Sequence, residues 1–263
     1  PSLLAIIIVG DSFNNIPVFS VFIGIVLYLG VREITIFAAG KNGKPAIYLL
    51  LIFLAILQLD RHPAVQWDIP IQVLILGITI TAMTWELFRR EAKPLLNITM
   101  LVFAFVWLGL MLGALSSLRN LPEIGIKITF ALFLSVWICD TAAFFFGSKF
   151  GKSKILPEVS PKKTWVGTIA GLISSIVLLT GLHHYGYFNG LIELKDAVVI
   201  ALIAGGFGQL GDFAESLLKR EAGLKDTSNI LRGHGGILDR FDSLSFAAPL
   251  TLLYCNYFIK VGQ

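Results

Sequence analysis

The sequence predicts an all-α fold, a polytopic bundle of transmembrane helices whose polar loops on one side form the functional site. Three observations predict it. The 263-residue chain is 56% hydrophobic and only 14% charged, against roughly 45–50% and 25% in an ordinary soluble domain, and its mean hydropathy is +0.79. The apolar residues fall in long blocks, without the alternation of a half-buried strand or the stripe of a surface helix. The basic residues gather in a subset of the intervening loops.

A hydrocarbon layer about 30 Å thick needs about 20 apolar residues of helix, fewer where a helix is buried among others, and on that basis about nine spans are expected. They run Ser2–Gly10, Ile16–Val31, Ala46–Leu59, Ile69–Trp85, Leu95–Leu115, Ile128–Gly147, Thr164–Leu182, Ala197–Asp212 and Leu244–Ile259, the first and third being short. This numbering puts Arg32–Pro45, Glu86–Pro94, Ser148–Lys163 and Phe213–Ser243 on one side, and these loops hold most of the 21 Lys and Arg residues. The other side keeps Arg61, Arg119, Lys127, Lys195 and Lys260. A basic side is normally the cytoplasmic side, so the four loops are expected there.

No separate soluble domain is expected: residues 1–263 read as one integral membrane domain, with its motif-bearing half from about residue 128 onward. Leu3–Val9 lacks a basic flank and a small-residue cleavage site, so no cleavable signal is expected. Cys139 and Cys255 lie inside apolar blocks with no metal-knuckle spacing and read as buried hydrophobes. His183 and His184 fall on the other side, away from the polar motifs, and read as interfacial.

The stretch from Asp212 to Ser243 is unlike the rest, mixing acids and bases almost evenly, which argues against a simple polybasic lipid patch. On a helix continuing from the eighth span, Asp212, Glu215, Ser216 and Lys219 share one face. Gly233-His234-Gly235-Gly236 then makes a side-chain-poor turn in which backbone amides can approach an anion. Asp239, Asp242 and Ser243 share a face at the start of the ninth helix. Two acid-bearing helix ends joined by a glycine turn can bring carboxylates around a hard cation such as Mg²⁺. A plain solvated loop with self-paired charges is the alternative.

This stretch resembles the C-terminal signature of the phosphatidate cytidylyltransferases, S-x-x-K-R-x4-K-D followed by P-G-H-G-G-x-x-D-R-x-D. Ser216, Lys219, Arg220, Lys225, Asp226, Gly233, His234, Gly235, Gly236, Asp239, Arg240 and Asp242 stand in register with it. Upstream, Cys139-Asp140-Thr141-Ala142-Ala143 with Gly147 is similar to the family's S-D-T-x-A…G segment, and Ser160-Pro161-Lys162-Lys163-Thr164-Trp165 to its S-P-K-K-T-W. The departures are Arg232 for the proline before G-H-G-G, Val166 for a common glutamate after the tryptophan, and Cys139 for a common serine.

Spacing and resemblance together single out Asp212, Lys219, Arg220, Lys225, Asp226, His234, Asp239, Arg240 and Asp242 as catalytic candidates. Asp140, Lys162, Lys163, Ser216, Gly235, Gly236 and Ser243 are the candidates for substrate contact. An ionised carboxylate inside a bilayer costs about 2.5–3.5 kcal/mol on insertion scales, so Asp140 is expected to face a cavity or a partner, the alternative being a packing residue bonded to Thr141. Gln209, one turn before Asp212, either lines the same cavity or is an amide buried by helix packing.

The resemblance implies transfer of a cytidylyl group from CTP to phosphatidic acid, giving CDP-diacylglycerol and pyrophosphate. Asp212 and Asp239 are the expected Mg²⁺ ligands, and the resemblance implies a second cation sharing them. Lys219, Arg220 and Arg240 are expected to meet phosphate. The expected partners are the two substrates and the bilayer, with a homodimer suggested by the family and no nucleic acid. A CTP-dependent lipid-alcohol kinase is the alternative enzyme. An ion-coupled transporter is less favoured, because transporter sites lie near the midplane whereas the densest polar cluster here lies at one face.

Overall fold

The structure, a computed structural model, describes residues 18–62, 64–65, 67–224, 227–228 and 235–259. Among them the chain is helical throughout and has no strand, only an isolated antiparallel bridge between Lys154 and Thr164. The helices are α1 (Val18–Gly40), α2 (Ile47–Asp60), α3 (Ile71–Arg89), α4 (Pro94–Ala104), α5 (Ala114–Arg119), α6 (Gly125–Phe150), α7 (Trp165–His184), α8 (Leu194–Leu202), α9 (Gly208–Glu221) and α10 (Leu238–Tyr254). A π-helical segment, Phe105–Leu112, joins α4 to α5; another, Ile203–Phe207, joins α8 to α9; a third, Cys255–Ile259, follows α10.

Among the described residues, six helices or continuous helical runs are long and apolar enough to cross a membrane: α1, α3, Pro94–Arg119, α6, α7 and Leu194–Glu221. The chain is thus a multi-pass membrane protein, with six such spans among the described residues against the about nine expected. The first expected span lies outside the described residues, α2 has only 14 residues, and α10 has 17 before its π segment. Short helices suffice at these two positions because they pack among others. α10 lies against α9, α5, α6 and the Phe105–Leu112 segment, and burial of its polar groups among neighbours removes the need for a full-length apolar shell.

Two expected boundaries also move. α1 runs on to Gly40 and takes in Arg32 and Glu33, because Glu33 is fully buried with protein partners rather than facing a loop's solvent. The polar loop expected at Phe213–Ser243 shortens at both ends, since α9 continues to Glu221 and α10 already starts at Leu238.

Local chemistry explains the ends. Pro94 opens α4, where a missing N–H costs nothing. Glu193 and Asp196 form a reciprocal capping box at the start of α8. Thr164 caps α7, its Oγ1 accepting the Gly167 N–H at 3.2 Å. α6 and α7 then approach closely along small residues: a Cβ on Gly167 would meet the Ala143 carbonyl oxygen at 2.6 Å, and one on Gly171 the Cys139 carbonyl oxygen at 2.8 Å. Without water, such backbone proximity is what holds helices together in a bilayer. Ser135 and Ser175 hydrogen-bond across this seam at 2.9 Å. Cys139 and Cys255 are buried free thiols.

The four basic loops meet at one end of the bundle. Arg89 Nη1 donates to the Lys44 carbonyl at 2.6 Å, Lys93 Nζ to the Lys41 carbonyl at 2.7 Å and Arg220 Nε to the Val159 carbonyl at 3.3 Å, while Lys41 pairs with Glu221 at 3.3 Å. The opposite end carries Arg61, Asn120, His183 and His184. Exposed Leu76, Ile80, Phe144, Val177 and Phe258 cover the flanks between, as an apolar solvent allows.

Candidate active site

The site is built where α6, α7, α9 and α10 end together. Along α9, the Ser216 hydroxyl donates to Asp212 Oδ1 at 3.3 Å, and Lys219 Nζ lies 3.2 Å from Glu215 Oε1. The expected shared face is therefore present, and it is turned inward: Glu215, Ser216 and Lys219 are all buried. Lys219 reaches across to α10, where its Nζ lies 2.6 Å from Asp239 Oδ1.

Asp239 is surrounded by donors. Besides Lys219, it accepts the Gly236 N–H at 2.6 Å and the Thr227 N–H at 3.1 Å, and the Thr227 hydroxyl lies 2.9 Å from the same oxygen. Burial alone would raise its pKa, but the hydrogen bond from Lys219 and those from the two backbone amides outweigh it and hold the carboxyl down at about 2. The glycines before it are required by shape. Gly235 has φ +76°, and a Cβ on Gly236 would run into Thr227 Oγ1 and the Glu33 carboxylate.

The α6–α7 connection supplies the other wall. Lys163 Nζ pairs with Asp212 Oδ2 at 2.6 Å and lies 4.0 Å over the Phe213 ring, so the cation is held against both α9 and an aromatic face. Asp140 is exposed on α6 and within electrostatic range of Asp212 and Lys163. Its packing alternative is not what the structure has, because the Thr141 hydroxyl donates to the Trp137 carbonyl at 2.7 Å instead. Asp242 senses Asp212 and Asp140, and Glu215 senses Asp242 and Asp239. Asp140, Asp212, Glu215, Asp239 and Asp242 thus form one acidic cluster, with Lys163 and Lys219 interleaved.

Other candidates stand further off or do other things. Arg220 is exposed and its guanidinium binds the Val159 and Leu224 carbonyls, tying the α6–α7 loop to the end of α9. Lys162 and Arg240 are exposed. Ser243 is buried against Gly208, its N–H bonded to Asp242 Oδ1 at 2.6 Å. Gln209 is the buried-packing case: its Nε2 donates to the Thr168 and Gly205 carbonyls. Lys225, Asp226, Arg232, Gly233 and His234 lie outside the described residues.

Three participants escaped the sequence reading of the site. Glu215 was visible on the shared face and was not singled out; it is buried, with Lys219 Nζ 3.2 Å from its Oε1. Thr227 sits beside the signature's Asp226 and gives no signal of its own. Glu33 comes from α1, roughly two hundred residues away, and accepts bonds from Thr227, Ser228, Ile237 and Leu238. Its one signal was an acid inside an apolar, helix-length block.

Among the described residues no three His, Cys, Asp or Glu side chains are gathered closely enough to make an all-protein metal cage. Mg²⁺ rarely uses one; it takes one or two carboxylates and completes its octahedron with water and substrate phosphate. The oxygen-only donor set suits such a cation.

Comparison with known proteins agrees with this chemistry. A family model described as the cytidylyltransferase family matches residues 1–258. A phosphatidate cytidylyltransferase of Haemophilus influenzae is 33% identical over 247 residues, which is 90% of this chain and 79% of the relative. Those of Bacillus subtilis, 34% identical over 70% of this chain and 66% of the relative, and of Staphylococcus saprophyticus, 38% identical over 69% and 65%, are similar as well. The described motif residues gathered at one end of a membrane bundle and a match over almost the whole sequence lead to one assignment: this chain belongs to the cytidylyltransferase family.

Proposed function

We propose that this chain transfers the cytidylyl group of CTP to phosphatidic acid, producing CDP-diacylglycerol and pyrophosphate. The observation that carries the reading is the acidic cluster with Lys163 and Lys219 interleaved, at one end of a bundle whose flanks face lipid. A lipid headgroup and a water-soluble nucleotide can meet only at such a place.

The attacking group is a phosphate oxygen of phosphatidic acid, already ionised at neutral pH, so no general base is required. It forms a bond to the α-phosphorus of CTP while the bond from that phosphorus to the bridging oxygen breaks, and pyrophosphate leaves with the electron pair. The barrier is charge and alignment. Asp212 and Asp239 would hold Mg²⁺, with a second cation sharing them as the family resemblance suggests. The metal supplies neutralisation of the triphosphate and of the leaving pyrophosphate. Lys163 and Lys219 are paired with these same two carboxylates, a position from which either ammonium can turn to substrate phosphate. Arg220, by tying two loops together, holds the walls of the site; Asp140 adds negative charge beside Asp212 and Lys163.

Purified protein given CTP, Mg²⁺ and phosphatidic acid should release pyrophosphate and form CDP-diacylglycerol. Release of CDP with a phosphorylated lipid alcohol would instead identify a kinase. The basic loops support a cytoplasmic site. Cysteine placed at exposed Ser153 should react with an impermeant thiol reagent only from inside, and at exposed Tyr185 only from outside. The homodimer suggested by the family would be read by cross-linking in native membranes.

A further inference from the structure

Glu33 belongs to α1, far from the motifs in sequence, yet its carboxylate joins Thr227 and Ser228 to the start of α10. Oε1 accepts the Ser228 hydroxyl at 2.6 Å and the Ile237 N–H at 2.7 Å; Oε2 accepts the Thr227 hydroxyl and the Leu238 N–H, both at 2.9 Å. Each oxygen therefore takes one hydroxyl from the segment leaving α9 and one amide from the segment entering α10. The residue is fully buried, and burying a carboxylate beside an acidic cluster is unfavourable unless every donor is well placed. A glutamine could offer only one acceptor oxygen to this set. The N-terminus of α10 is the one part of that helix where an anion is favoured.

The link to the chemistry runs through Thr227. Its hydroxyl lies 2.9 Å from Glu33 Oε2 and 2.9 Å from Asp239 Oδ2, while its N–H binds the same Asp239 oxygen at 3.1 Å. Gly236, which donates to Asp239, has no room for a Cβ because Thr227 and Glu33 fill that space. We infer that Glu33 is a positioning residue for the reaction: through Thr227 and the first amides of α10 it sets the place and orientation of the Asp239 carboxylate. The inference rests on Asp239 being a ligand of the catalytic cation.

The test is Glu33→Gln, with Glu33→Asp as the charge-conserving variant, in detergent-purified full chain. Groups that orient metal ligands typically change affinity or activity by about 10- to 100-fold, and a kcat loss of that order is expected for Glu33→Gln, with a raised Mg²⁺ requirement and weakened Mg²⁺-dependent CTP binding measured calorimetrically without lipid. KM for phosphatidic acid should stay within about two-fold, since the lipid site is untouched. Glu33→Asp should recover part of the loss. Combining Glu33→Gln with Thr227→Val should cost less than the product of the single effects, because both act on one oxygen. Glu86→Gln is the control, a buried glutamate at the same end bonded to Asn97 and Arg89; it should lower thermal stability and leave the magnesium requirement alone.

The inference fails if folded Glu33→Gln loses thermal stability while kcat, magnesium requirement and CTP binding all remain at wild-type values. Should Glu33→Gln not fold, Ser228→Ala decides, since it removes one donor and keeps the carboxylate: a raised magnesium requirement supports the role and an unchanged one overturns it. Asp239→Asn is measured alongside. If that change leaves the magnesium requirement untouched, the cation assignment itself is wrong, and Glu33 is judged on kcat and its recovery by aspartate alone.

Discussion

At the end of the bundle that carries Arg61, Asn120 and Asp196, buried charge is matched to fixed donors and acceptors. Arg61 donates to the Gly109 carbonyl at 2.7 Å, where the π-helical segment releases an acceptor from the regular ladder. Asp196 takes the Glu193 N–H at 2.8 Å and the Tyr254 hydroxyl at 2.8 Å. At the other end, Asp140, Asp212, Glu215 and Asp242 lie within electrostatic range of one another, and buried Glu215 shares its one ammonium, Lys219, with Asp239. Folding alone would not select that arrangement, because like charges at short range in low dielectric are unfavourable. The difference teaches where the molecule stores unfavourable electrostatics, which on the proposed function a cation with a polyphosphate would relieve.

The largest effect should come from removing the charges that the cation needs. Asp212→Asn and Asp239→Asn should each lower kcat by about 10²–10³-fold or more and raise the magnesium concentration needed for the remainder; a magnesium titration of both variants, read with CTP binding, checks this. Turnover that falls while binding and magnesium requirement stay unchanged would point to proton transfer instead.

Next are the cations. Lys163→Ala and Lys219→Ala should each reduce kcat by about 10²-fold at saturating lipid, as loss of one charge-stabilising donor does. Lys195→Ala, exposed at the far end and paired with Glu193, should change nothing measurable. Equal small effects at all three would erase the contrast between the ends.

A smaller effect of opposite sign is expected for stability at Glu215. Glu215→Gln replaces a buried carboxyl whose charge is opposed by burial and by Asp242 and Asp239, while Lys219 keeps Asp239 as partner. The variant should be more stable by about 1 kcal/mol and less active, as thermal melts in detergent and steady-state assays would show. At the far end Arg61→Ala strands the Gly109 carbonyl and should cost about 1–3 kcal/mol of stability with kcat of the folded enzyme unchanged.

Much of this was legible in the chain. Composition and block length gave the membrane class, because a bilayer requires continuous apolar helix. The loop charges separated the two ends, and the i, i+3, i+4 spacing of Asp212, Glu215, Ser216 and Lys219 put them on one face, since helical geometry is local. The motif resemblance supplied the family. Tertiary structure alone decided which acids meet which bases: Lys163 with Asp212, Lys219 with Asp239, and Arg220 with two carbonyls rather than at the centre. It also decided the three π-helical segments, the short spans of α2 and α10, and the reach of Glu33 into the signature loop. These depend on contacts between residues tens to hundreds of positions apart, and periodicity within a helix carries no information about which neighbour its polar face will meet.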